Sequence, residues 1–158
     1  MDVDVSLEAP CPAGELFVWV EDLSRYPQWL ELVPRAAPAP AVEHDPGPAW
    51  TVDLRARLGP LARSKRLRMV RTVHDPPGVA TAVAGAGGGV ARFERLEHDG
   101  REHSDWILQA EVKARGDHAS QLTMYLHYSG ELFGPVVERL LADAIARSRP
   151  RLLGLVSG

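Results

Sequence analysis

The residues of this chain that could do chemistry are scattered, and their spacing excludes more than it supports. Six histidines, His44, His74, His98, His103, His118 and His127, fall mostly in turn-like segments. No two of them have the His-x-x-x-His or His-Glu-x-x-His spacing that sets two imidazoles on one helical face, so no metal site is expected. Cys11 is the single cysteine and has no second thiol for a disulfide or a thiolate cage, which fits a reducing compartment. The run Gly85 to Gly89 is glycine-rich like a phosphate loop. It lacks the Gly-Lys-Ser/Thr ending and a following helix, and reads instead as a hairpin or strand break. Arg63-Ser64-Lys65-Arg66-Leu67-Arg68 is basic and could meet an acidic lipid head group or a partner, but such a run reads first as a solvated outer sheet face. Serine, histidine and aspartate occur in many combinations, and no nucleophile motif singles out a triad.

The totals are equally neutral. With 18 basic and 21 acidic residues the net charge is −3 and the pI is near 6.1, so no basic field suggests nucleic acid as a partner. The 158 residues fit one domain, residues 1–158, with room for a sizeable core. Met1-Asp2-Val3-Asp4 carries two acids and no basic region, unlike a signal peptide, and no run approaches the ~18 apolar residues of a membrane span. A soluble cytoplasmic protein without stable membrane insertion is the expectation. The sequence does not indicate an oligomeric state.

What must position the side chains is one long helix and a set of strands. From about Gly134 to Val156, Val137, Leu140, Leu141, Ala144, Ile145, Ser148, Leu152, Leu155 and Val156 recur at three- and four-residue spacing, the signature of an amphipathic helix. Pro150 interrupts it and predicts a kink near Ala146 to Arg149. Upstream, Val3, Val5 and Leu7 alternate as a first strand. Pro12 to Val20 has helical spacing, and Asp22 and Ser24 can cap a second short helix through Trp29. Pro34 to Pro40 suits a sheet edge, since proline is kept out of central strands. Trp50 to Leu58, Leu67 to Val73, Val79 to Val83, Val90 to Leu96, Trp106 to Val112 and Leu122 to Tyr128 then read as strand pieces separated by turns. Strands and helices do not alternate along the chain, which argues against a doubly wound parallel sheet and its nucleotide crevice. The expected architecture is α+β, a curved antiparallel sheet holding a long C-terminal helix.

If the alternation gives the inward faces correctly, the space between sheet and helix is lined by Trp50, Val52, Leu54, Leu67, Met69, Phe93, Trp106, Leu108, Met124, Leu126 and Tyr128. Leu141, Ala144, Ile145 and Ser148 close it, and the small side chains at Ala144 and Ser148 leave room beneath the helix. Either a ligand cavity or a filled core satisfies this set. Trp29 likewise has two readings, a lid over a cavity mouth or an anchor packing the short helices on the sheet. Arg66 and Arg68 alternate with Leu67 and Met69 and are expected to face solvent.

Val3 to Ala9, Pro12 to Val20 and Asp22-Leu23-Ser24-Arg25-Tyr26-Pro27-Gln28-Trp29 together resemble the N-terminal signature of the START-like, or SRPBCC, superfamily, particularly its polyketide cyclase/dehydrase and lipid-transport branch. Gly134-Pro135 and Arg139-Leu140-Leu141 resemble its C-terminal helix. The resemblance spans essentially the whole chain and implies the helix-grip fold, seven strands wrapped around that helix over an apolar cavity. It implies binding of a hydrophobic small molecule such as a lipid, a polyketide or an aromatic metabolite, with no cofactor. Its motifs specify the fold better than the activity. In the family's aromatase/cyclases an interior arginine with nearby hydroxyls polarises a poly-β-keto substrate, which makes Arg95, Tyr128 and Ser64 the catalytic candidates of an alternative reading. A third reading is a protein-interaction module with a filled core.

Overall fold

The computed structural model describes residues 1–58, 60–78, 88–130 and 135–156. The expected strand piece Val79 to Val83, most of the Gly85 to Gly89 run, and the glycines of Gly59-Pro60 and Gly134-Pro135 lie outside these residues.

Among the described residues seven strands form one sheet: β1 (Asp2–Ala9), β2 (Arg35–Ala39), β3 (Ala49–Leu58), β4 (Leu61–Asp75), β5 (Gly89–Arg95), β6 (Trp106–Ala114) and β7 (Ser120–Tyr128). Every pairing is antiparallel, and the spatial order is β1-β7-β6-β5-β4-β3-β2. Pro38 sits in β2 at one edge, where its missing amide hydrogen costs no ladder bond on the open side. The helices are α1 (Ala13–Phe17), α2 (Pro135–Arg147) and α3 (Arg149–Val156), with a 3-10 helix at Leu23–Gln28. Asp22 caps that 3-10 helix, accepting from the Ser24 backbone N–H at 2.9 Å and the Ser24 hydroxyl at 2.6 Å. The C-terminal helix is interrupted at Ser148, within the segment where Pro150 predicts a kink.

α2 lies against both β1 and β3, which are far apart in the strand order, so the sheet curves around the helix. The alternation on β3 places Trp50 and Val52 in the core and leaves Thr51 and Arg55 exposed, as period-two patterning requires. On β4 the alternation breaks. A bulge shifts the register between Arg71 and Val73, so Arg71 pairs with Phe93 on the inner face and Val73 pairs with Arg92 on the outer one. Unbroken alternation from Leu67 and Met69 would turn Val73 inward, and that one extra residue turns it out. Among the described residues, no helix is long and apolar enough to cross a membrane.

Candidate ligand-binding site

The N-terminal helices deliver aromatic side chains beneath the sheet. Tyr26 and Trp29 are fully buried with ring centres 5.0 Å apart, and Phe93 meets Tyr26 edge-on at 6.0 Å and Trp50 at 5.5 Å. Trp29 Nε1 donates to the Trp19 carbonyl at 3.0 Å and the Tyr26 hydroxyl donates to the Val20 carbonyl at 2.9 Å, so both polar tips are satisfied inside. Burial pushes the Tyr26 phenol well above its ordinary pKa. These properties favour Trp29 as a packing anchor.

The aromatic cluster occupies one end of the space between sheet and helix. Trp50, Val52, Leu67, Met69, Phe93, Leu108, Met124, Leu126 and Ile145 are all buried within the core around it. At the other end a pocket of about 300 Å³ remains, bounded by β3, β4, β6, β7 and α2. Four of the residues expected to line a cavity meet there: Leu54, Trp106, Tyr128 and Leu141. Trp106 and Tyr128 pack with ring centres 4.4 Å apart, and the Trp106 Nε1–H is buried with no hydrogen-bond partner among the described residues. Leu32, Ala56 and Val137 also contribute apolar wall. Ala144 and Leu141 line an adjoining recess with Arg55, Arg57 and Arg147. Ser148 and Trp29 border a third recess, and the Ser148 hydroxyl turns back to the Ile145 carbonyl at 2.5 Å.

The catalytic candidates do not meet in this pocket. Tyr128 and Ser64 line it, while Arg95 is held apart by Glu97 Oε2 at 3.2 Å and the Ser104 carbonyl at 3.4 Å, with its side chain only 7% exposed. Glu97 itself accepts from the Arg68 backbone N–H at 2.8 Å. Next to it, His103 Nε2 lies 2.8 Å from Asp99 Oδ2, so Glu97, Asp99 and His103 bring potential ligand atoms within 4.8 Å of one another. Spacing rules for paired histidines do not find this grouping, which combines one imidazole with two carboxylates.

The basic run of β4 divides by parity, which corrects its reading as a solvated face. Arg63 pairs with Ala56 and Lys65 with Leu54, and all four line the pocket. Period-two alternation backwards from Leu67 and Met69 would have placed Lys65 and Arg63 inward. Arg66 and Arg68 take the outer face. Arg66 is exposed and pairs with Asp53 at 2.8 Å. Arg68 is not solvated as expected: its side chain is 16% exposed and lies under the segment carrying Pro40 and Asp45.

No protein-family model and no curated protein matches the sequence. Solved structures do match. A START superfamily protein from Mycobacterium smegmatis superposes with a TM-score of 0.66 at 15% identity, over 99% of this chain and 97% of that one. Human StAR-related lipid transfer protein 5 gives 0.73 at 12% identity, over 98% of this chain and 74% of its own. Human STARD10 gives 0.71 at 10% identity, over 99% of this chain and 63% of that one. With seven antiparallel strands curved around a C-terminal helix and superpositions that span nearly its whole length, the chain has the START-like helix-grip fold.

Proposed function

We propose that this protein binds a hydrophobic small molecule, of the lipid, polyketide or aromatic class, in the pocket between the sheet and α2. The observation that carries this reading is the pocket itself, with apolar wall from Leu32, Leu54, Ala56, Trp106, Tyr128, Val137 and Leu141 where the aromatic cluster stops short. Its volume of about 300 Å³ lies at the small end of ligand sites. Removing apolar ligand surface from water supplies the driving force, at roughly 25 cal/mol per Å². The shared fold with a human lipid transfer protein supports the same reading. Binding is favoured over polyketide cyclisation because Arg95, the arginine a cyclase would need in the cavity, is paired with Glu97 instead.

The test is a substitution that fills the pocket from a wall residue outside the fully buried core. Ala56 is half-buried on its wall, so Ala56→Trp should abolish binding of a fluorescent fatty-acid or aromatic probe while the melting temperature stays close to that of the parent. Native mass spectrometry of protein from its own host, followed by extraction, should release an apolar compound. An Ala56→Trp protein that binds the probe as the parent does removes the pocket from consideration.

A further inference from the structure

The charge around the pocket differs from that of the chain. Arg55, Arg63 and Lys65 line it and, among the described residues, no aspartate or glutamate does, although acids outnumber bases 21 to 18 overall. Arg55 and Arg63 are exposed at the rim, while Lys65 lies deeper and is half-buried. Among the described residues the Lys65 ammonium makes no hydrogen bond or ion pair. The ammonium lies over the face of the Tyr128 ring, 5.8 Å from Nζ to the ring centre. Glu97 attracts it from a distance, but that carboxylate is engaged by Arg95 and by the Arg68 backbone. Burial, and next the charge of Arg95, lower the proton affinity of Lys65, so its cation is held in an unfavourable position that a bound anion would relieve.

We infer that the pocket takes an amphipathic anion, its head group at Lys65 and Arg63 and its apolar body against Leu54, Trp106, Tyr128 and Leu141. This rests on the binding reading above and narrows it to a ligand class. An apolar wall fixes affinity for the body of such a ligand, and a cation at one end fixes its direction. A carboxylate and a phosphate monoester share the necessary chemistry.

Calorimetric titration with four twelve-carbon amphiphiles below their micelle concentrations tests it: dodecanoate, dodecyl phosphate, dodecanol and dodecyltrimethylammonium. One or both anions should bind at least about tenfold tighter than the alcohol, the scale of one charge-assisted hydrogen bond, and the cation should bind most weakly. Whichever anion binds more tightly identifies the head group. The Arg63→Gln, Lys65→Met double variant should lose most of the preference and keep dodecanol affinity within about threefold. Equal affinity of parent protein for both anions and dodecanol, or an undiminished preference in the folded double variant, overturns the inference and leaves the hydrophobic pocket standing. If none of the four binds, the binding reading falls with it.

Discussion

Asp45 accepts two hydrogen bonds from the Arg68 guanidinium, at 2.7 and 3.3 Å, on the face of the sheet turned away from α2. Its side chain is 2% exposed, and the Val42 backbone N–H at 2.8 Å and His98 Nε2 at 3.0 Å complete its surroundings. Arg68 also donates to the Pro40 and Leu96 carbonyls. One guanidinium thus ties the segment before β3 to the outer face of β4 and to the end of β5. The Arg68 hydrogen bonds, first, hold the Asp45 carboxyl well below its ordinary value of 3.8.

A depressed carboxylate pKa stabilises the fold above the unfolded-state value, and the contribution disappears as pH falls through the folded-state value. The Asp45 contribution should therefore be complete at neutral pH and decline once pH drops below about 4. Asp45→Asn should lower the melting temperature at pH 7 and shrink that difference progressively in acid. A constant difference between the two proteins from pH 7 to pH 2 would show that ionisation of Asp45 contributes nothing.

Gly130 stands against Tyr128, which lines the pocket. A Cβ placed there would run into the Tyr128 hydroxyl and ring, and that ring is already packed at a tilt against Trp106. Gly130→Ala should force Tyr128 to shift toward the pocket, with an overpacking cost of about 1–3 kcal/mol. Calorimetric melting and probe binding should both change. Unaltered stability and affinity would mean that Tyr128 relocates without cost, and that it does not shape the pocket.

The sequence was legible wherever a local rule decided the outcome. Alternation from Trp50 to Leu58 places β3, Asp22 caps the 3-10 helix, Pro38 lies on an edge and the helix breaks beside Pro150. Alternation names a face but not a depth. Met124 and Trp106 share the inner face, yet Met124 is sealed in the core and Trp106 lines the pocket, because Tyr26 and Trp29 fill only one end. The bulge that turns Val73 outward has no local marker. Arg68 is covered by a segment more than twenty residues away in sequence, so its burial is set by a tertiary contact that no local pattern marks. Lys65 differs from these. Its parity with Leu67 and Met69 is present in the sequence, but Arg66 and Arg68 on the other face give the run the look of one basic block.

The break in the C-terminal helix separates two roles. α2 carries Val137 and Leu141 to the pocket, whereas α3 secures the end of the chain through Leu152, which is 1% exposed. Across the interruption the Leu152 backbone N–H still reaches the Ser148 carbonyl at 3.1 Å. Pro150 is the second residue of α3, inside the first turn, where an amide hydrogen would have no partner within that helix. Leu152→Ala should therefore cost about 2–5 kcal/mol in urea denaturation, as for a buried leucine. Pro150→Ala should change stability by no more than about 1 kcal/mol, since it relaxes the unfolded chain without removing a native bond. If Pro150→Ala proves as costly as Leu152→Ala, the proline itself sets the angle at which α3 meets the core. A cheap Leu152→Ala would instead mean that α3 contributes little to holding α2 over the pocket.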